Sequence, residues 1–123
     1  IQNIKKNKKE LEMTPGEQTR DFIYINDVVN AFYIVLNSCF KLNSFQEFEI
    51  GSGKSYSIKE FANIIKTITK SKTDLKFGSL PYRKGEIMES QISNLDIRSL
   101  GWKPKYSLKN GLENYILNKK FDV

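Results

Sequence analysis

Gly16-Glu17-Gln18-Thr19-Arg20-Asp21-Phe22-Ile23-Tyr24-Ile25-Asn26-Asp27-Val28-Val29-Asn30-Ala31 is the stretch around which this sequence is organised. It joins a glycine turn, a charged Arg-Asp pair and a short apolar run that leads into a longer one. Residues 22–25 are aromatic or β-branched, which predicts a strand. Arg20 stands at the lip of that strand, where loops carry ligand contacts. The same Arg-Asp pair could be a solvated surface pair of little energetic consequence. Asn26 or Asp27 is placed to cap a helix running to about residue 39, and Asp27 also suits the positive end of its dipole. Val28, Val29, Ala31, Phe32, Tyr33 and Ile34 leave this helix almost no polar face, which predicts burial on more than one side. A chain of 123 residues has little with which to bury it, so a missing partner layer is expected. Cys39, beside Leu36 and Phe40, reads as a small core residue.

Upstream, residues 1–7 read as a helix end and Glu10–Met13 as a short strand; Thr14-Pro15-Gly16 then makes a turn. Downstream, residues 41–45 form a loop and residues 47–50 a strand leading into Gly51-Ser52-Gly53-Lys54-Ser55. Strand, glycine loop and helix are the parts of a phosphate site, but the spacing excludes the two common forms. A P-loop needs glycine at position 48, which is Phe48, and a dinucleotide fingerprint needs one at 56, which is Tyr56. The glycines therefore read as a tight turn.

Ser57-Ile58-Lys59-Glu60 is a capping box, with Tyr56 and Phe61 in the staple positions. Ile58, Phe61, Ala62, Ile65 and Ile68 continue from it as one apolar stripe. Asp74–Phe77 reads as a strand and residues 78–85 as an irregular segment. Ser93 or Asn94 opens a short helix packed through Leu95 and Leu100, with Gly101 closing it. Ser107 caps a last amphipathic helix through Leu108, Leu112, Tyr115 and Ile116. Tyr115 and Lys119 have the Tyr-x-x-x-Lys spacing of a proton-transfer pair, but Tyr115 falls on the apolar stripe and reads as core packing.

Lysine dominates a formal net charge of +6, from 20 Lys+Arg against 14 Asp+Glu. The run Lys5-Lys6-Asn7-Lys8-Lys9 reads as a solvated helix end. Aromatic residues do not interleave with basic ones as a nucleic-acid stacking platform requires, so no nucleic-acid partner is expected. A modest positive field does suit an anionic small ligand such as a nucleotide diphosphate. The longest apolar run is far shorter than the ~20 residues of a membrane span, so no membrane association is expected. A single cysteine allows no intrachain disulfide, which points to a reducing cytoplasm. The absence of histidine removes imidazole acid–base chemistry and almost every zinc arrangement. The chain starts at Ile1 without a signal-peptide pattern, and an excised fragment or processed chain is expected.

Four segments, in order, resemble the C-terminal part of the extended short-chain dehydrogenase/reductases that act on nucleotide sugars. They are the stretch from Thr14 through Arg20-Asp21-Phe22 to Val29; Phe48-Glu49-Ile50-Gly51-Ser52-Gly53 before Tyr56-Ser57-Ile58-Lys59-Glu60; Tyr82-Arg83-Lys84-Gly85-Glu86; and Leu100-Gly101-Trp102-Lys103-Pro104 before Ser107-Leu108-Lys109-Asn110-Gly111-Leu112. Leu80-Pro81-Tyr82-Arg83 with Glu86-Ile87-Met88 resembles the branch making CDP- and GDP-linked deoxysugars. The resemblance implies an α/β fold of mixed short strands and amphipathic helices, part of a Rossmann-type enzyme that binds NAD or NADP. It implies that residues 1–123 form the substrate-binding portion of an epimerase, dehydratase or reductase, with about residues 21–52 packing on an N-terminal Rossmann domain that is missing here.

On the same resemblance Arg20 and Arg83 contact the nucleotide diphosphate, Tyr82 supports the site, and Glu86 holds its loop. No catalytic, cofactor-binding or metal-ligating residue is assigned within the chain. Alone it is expected to bind no cofactor and to be inactive, and to self-associate through residues 27–39. The alternative is a stand-alone nucleotide- or anion-binding module without catalysis.

Overall fold

Alternation of polar and apolar residues builds the first layer. In the computed structural model, which describes residues 1–42 and 45–117, β1 (Glu10–Met13) and β4 (Asp74–Phe77) pair in parallel, with Leu11 opposite Leu75 and Met13 opposite Phe77. These four turn inward while Glu10, Glu12, Asp74 and Lys76 face solvent, as the two-residue strand period requires. They meet α3 (Ile58–Thr69), whose Ala62 and Ile65 are buried with Ile4 of α1 (Gln2–Lys5) and Leu112 and Ile116 of α5 (Leu108–Leu117).

Helix α3 starts where its capping box sets it. Ser57 Oγ accepts from Glu60 N at 3.0 Å, and the Glu60 carboxylate accepts from Ser57 N at 2.8 Å. Phe61, in the staple position, stacks on Phe22 with ring centroids 4.2 Å apart. Ser107 caps α5 as predicted, accepting from Asn110 N at 3.2 Å.

A second core gathers Ala31, Ile97 and Trp102, with Ile23, Ile34, Val35, Phe48 and Ile50 around them. Ala31, Ile34 and Val35 come from α2 (Ile25–Ser38), and Ile97 from α4 (Leu95–Ser99). Asp27 ties this core to the segment before α5. Its carboxylate accepts from Lys105 N at 2.9 Å and Tyr106 N at 3.1 Å, and its backbone carbonyl accepts from the buried Trp102 Nε1 at 3.0 Å.

Several expectations are corrected. The strand lies at β2 (Thr19–Asp21), not at residues 22–25, because its antiparallel partner β3 (Ser55–Ser57) is available only there. Neither Asn26 nor Asp27 caps α2; Tyr24 occupies the cap position without a side-chain bond, since Asp27 is committed to Lys105 and Tyr106. Residues 47–50 are not a strand, having no partner to pair with among the described residues.

Helix α2 packs on one side only, leaving Val29, Phe32, Tyr33 and Leu36 exposed. Cys39, in the short 3₁₀ turn Cys39–Lys41 that follows, is exposed and not in the core. In α4 Ile97 is the buried residue while Leu95 is exposed, and Asn94 donates to Gly51 O in place of capping the helix. Tyr115 is also exposed. Lys119, and residues 43 and 44 of the expected loop, lie outside the described residues.

Three substitutions test these anchors. Ser57→Ala removes the acceptor for Glu60 N and should cost about 1 kcal/mol of stability. Glu60 itself is held below the usual carboxylate range, first by the Ser57 backbone N–H and then by the Ser57 hydroxyl. A depressed folded-state pKa stabilises the fold above the unfolded pKa, and that contribution is lost as pH falls through the folded value. Stability of Glu60→Gln should therefore fall less on acidification than that of the unsubstituted protein. Asp27→Asn retains one acceptor oxygen and sets an amide N–H against the other donor. It should cost about 2 kcal/mol, read as a lower urea midpoint in the emission of Trp102, the single tryptophan.

Candidate ligand-binding site around Arg20

Thr19, Arg20 and Asp21 form β2, and its pleat sends the two charged side chains to opposite faces. On one side runs the segment 82–90. Thr19 N donates to Met88 O at 2.7 Å, Glu17 N donates to the Tyr82 hydroxyl at 3.0 Å, and Ser55 Oγ donates to Ser90 O at 3.0 Å. The segment is thereby strapped along β2 and β3.

Arg20 reaches into this strap. Its Nη2 donates to Glu86 Oε1 at 2.7 Å, and its Nη1 donates to Ile87 O and Thr19 O, both at 2.7 Å. Three of the five guanidinium N–H groups are used in this way. The pair is only partly shielded, with side-chain exposures of 30% for Arg20 and 21% for Glu86.

Arg83 lies in the same strap, exposed, with no side-chain hydrogen bond or ion pair among the described residues. Its carbonyl accepts from Glu86 N at 3.1 Å, closing a turn in which Gly85 has φ +78°. A Cβ on Gly85 would touch nothing within 4 Å, so backbone conformation, not space, calls for glycine there. The structure thus joins Arg20, Tyr82 and Glu86 through hydrogen bonds to one strap and leaves the Arg83 side chain unengaged.

Asp21 points the other way, into the glycine turn. Its carboxylate accepts from Ser52 N and Gly53 N, both at 2.8 Å. A Cβ on Gly51 would stand 2.7 Å from Asp21 Oδ2 and 2.8 Å from Ile92 Cβ, so only glycine allows this approach. Two backbone donors that could have faced a phosphate are occupied by an internal carboxylate. This agrees with the glycine spacing, which matches neither phosphate-binding motif.

Sequence reasoning missed this clamp and the use of the Ile87 and Met88 carbonyls. It also missed Gln18, which is buried, donates to Thr14 Oγ1 at 3.3 Å and leaves Oε1 without a partner among the described residues. The available signal was the carboxylate of Asp21 and a turn with two free amides, but nothing local connects positions 31 or 32 apart.

A cleft of about 440 Å³ opens beside β2, lined by Phe22, Tyr24, Phe61, Tyr106, Leu112 and Tyr115 among others. Tyr24 and Tyr106 meet at a tilt with centroids 4.6 Å apart, and Gly111 lets α5 approach, since a Cβ there would lie 3.2 Å from Tyr24. The cleft is largely apolar. Among the described residues no group of three or more His, Cys, Asp or Glu side chains is placed to hold a metal ion. What the Arg20 geometry offers chemically is guanidinium recognition of an anion.

The chain is 35% identical over 114 residues to CDP-abequose synthase of Salmonella typhimurium, covering 89% of this chain and 38% of that protein. It superposes on the UDP-glucose 4-epimerase of Thermotoga maritima with a TM-score of 0.80 at 26% identity, over 94% of this chain and 36% of that one. It superposes on a GDP-mannoheptose C4 reductase from Campylobacter jejuni with a TM-score of 0.71 at 31% identity, over 86% and 33%. The chain therefore spans well under half the length of these relatives, and its α/β fold is that of part of a Rossmann-type enzyme. The sequence pattern of the GDP-mannose 4,6 dehydratase family matches residues 1–115, and the chain belongs to that family.

Proposed function

We propose that this chain is the nucleotide-sugar-binding portion of an NAD(P)-dependent epimerase, dehydratase or reductase. The observation that carries the reading is a pair of arginines at one strap: Arg20 of β2, bonded to Glu86 and Ile87 of the strap with two N–H donors remaining, and Arg83 on the strap itself, exposed a few residues from Glu86. Planar guanidinium forks pair bidentately with phosphate oxygens, and two of them suit a diphosphate better than one. Family membership and the likeness to CDP-abequose synthase support the sugar-nucleotide class.

The described residues do not fit a dinucleotide. The amides of the glycine turn are taken by Asp21, and Tyr56 stands where a third glycine is needed. NAD or NADP is therefore assigned to an N-terminal Rossmann domain outside these residues, and the chain alone is inactive in hydride transfer. That domain covers the outer face of α2 and the unpaired residues 47–50. Without it, the exposed Phe32, Tyr33 and Leu36 make α2 an association surface. The lone Cys39 suits a reducing cytoplasm.

Titration of the protein with UDP, CDP, GDP and dTDP at two salt concentrations tests the ligand class. Saturable binding of at least one nucleoside diphosphate is expected, weakened about tenfold or more by Arg20→Ala and by Arg83→Ala. Binding unchanged in both variants would sink the assignment. Oligonucleotide binding that falls steeply with salt, without nucleotide preference, would point to a nucleic-acid binder. Hydride transfer by this chain alone would overturn the division between sugar-nucleotide and cofactor portions. Light scattering should give a species larger than a monomer, and Phe32→Glu with Leu36→Glu should return it to monomer. A monodisperse monomer before substitution would count against association through α2.

A further inference from the structure

The whole positive excess of this chain lies away from the Arg20 site. Lys5, Lys6, Lys8 and Lys9 fall within residues 5–9, and Lys66, Lys70 and Lys72 within residues 66–72; neither segment holds an acidic residue. The rest of the chain has 13 Lys+Arg against 14 Asp+Glu, so the formal net charge of +6 comes entirely from these two segments.

The fold sets the two segments side by side. Lys72 N donates to Asn7 Oδ1 at 2.9 Å, the buried Ser71 donates through Oγ to Ile4 O at 2.7 Å, and Asp74 N donates to Lys9 O at 3.0 Å. In sequence the run 5–9 reads as a solvated helix end; folding adds three lysines to it. Lys6, Lys8, Lys9, Lys70 and Lys72 are exposed and form no ion pair among the described residues. Glu10 and Asp74 border the lysines at the start of β1 and β4, and Asp74 is paired with Lys76 at 2.6 Å. Cations at a helix C-terminus complement its dipole, which accounts for Lys5, Lys6, Lys66 and Lys70. It does not account for Lys8, Lys9 and Lys72, which lie outside any helix.

We infer that this lysine face is a docking surface for an anionic lipid bilayer, which it contacts by charge and without insertion. The two segments contain no arginine and no aromatic residue, so they offer neither planar forks for a fixed phosphate nor rings for nucleic-acid bases. Lysine is a hydrated point charge on a flexible stem, which suits headgroups that move beneath it and need no set spacing. Short apolar runs argue against insertion, not against contact by charge; no described helix is long and apolar enough to cross a membrane.

The placement leaves the Arg20 site free. Residues 9 and 74 stand at the N-terminal ends of the parallel strands β1 and β4. The strap follows their C-terminal ends, where Gly78 N and Leu80 N donate to Met13 O. Helix α3 begins beside β2 and β3 and reaches Lys70 about 18 Å further along its axis. A protein held by its lysines therefore keeps the strap turned toward solution. The inference is independent of the diphosphate reading.

Vesicle flotation tests it. The protein should float with vesicles of equal parts phosphatidylcholine and phosphatidylglycerol at ~0.05 M salt, not with phosphatidylcholine alone, and should be released at ~0.5 M. A lysine beside an anionic leaflet strengthens binding roughly fivefold. Lys6→Gln/Lys8→Gln/Lys9→Gln should thus weaken it about a hundredfold, and Lys70→Asn/Lys72→Gln about twentyfold. Lys103→Gln/Lys105→Gln/Lys109→Gln removes three charges elsewhere and should change it by less than about threefold. Variants are compared where Trp102 emission reports the folded state.

Equal flotation with neutral vesicles would assign the adhesion to the exposed apolar face of α2 and overturn the inference. Absence of flotation with the anionic vesicles at low salt, or an equal loss in the Lys103 set, would also overturn it. A duplex oligonucleotide that strips the protein from the vesicles at equal phosphate concentration would make the face a nucleic-acid surface instead.

Discussion

Strand β2 is three residues long, and its pleat places Arg20 and Asp21 on opposite faces. Each charge then ties down a segment distant in sequence. Arg20 holds the strap through Glu86 and Ile87, while Asp21 closes the glycine turn through Ser52 and Gly53. β3 pairs with β2 so that Arg20 stands opposite Tyr56. A one-residue slip of β2 would exchange the two side chains, turning the guanidinium toward amide donors and the carboxylate toward backbone carbonyls. Both arrangements are repulsive, so the register of this short ladder is fixed by charge as well as by hydrogen bonding.

The two hydrophobic cores meet around that ladder. Phe22, directly after Asp21, stacks on Phe61 of α3 and so joins the first core. Ile23, the next residue, packs with Ala31, Ile97 and Trp102 in the second. Asp27 then fastens the second core to the start of α5 through Lys105 and Tyr106. The opening stretch is therefore a junction in a literal sense. Consecutive residues from 19 to 27 serve the strap, the glycine turn, both cores and the C-terminal helix.

What was legible in the sequence is what is decided locally. The capping box at Ser57, the alternation in β1 and β4, the left-handed Gly101 after α4 and the cap at Ser107 all depend on neighbours a few residues apart. The errors have more than one cause: a long-range partner displaces a local preference at Asp27, and a strand partner is lacking at residues 22–25 and, among the described residues, at 47–50. Asp27 has the chemistry of a cap and is used instead across 78 and 79 positions. Residues 22–25 have strand propensity, but the pairing partner ends opposite Asp21. In the site, Arg20 and Arg83 were singled out from the resemblance, yet the bond from Arg20 to Glu86 spans 66 positions and no local pattern announces it. The near absence of a polar face on α2 predicted burial on more than one side, and α2 is buried on one. The consequence within this chain is an exposed face, since the described residues bury only the side bearing Ala31.

On the proposed reading, the two arginines differ in a way that matters for recognition. Arg20 is held by three hydrogen bonds and paired with Glu86, so what it offers a ligand is direction: donors set at an angle by β2 and the strap. Arg83 is exposed and unbalanced among the described residues, so what it offers is charge with reach. A site made only of rigid, neutralised guanidiniums would attract anions weakly at a distance. One made only of mobile arginines would lose affinity to their ordering and would distinguish poorly among phosphates. Holding Arg20 of β2 against the strap that carries Arg83, with Gly85 turning the backbone between Arg83 and Glu86, brings attraction and orientation together. The strap itself stays in place through bonds from Thr19, Glu17 and Ser55 that no ligand needs to break.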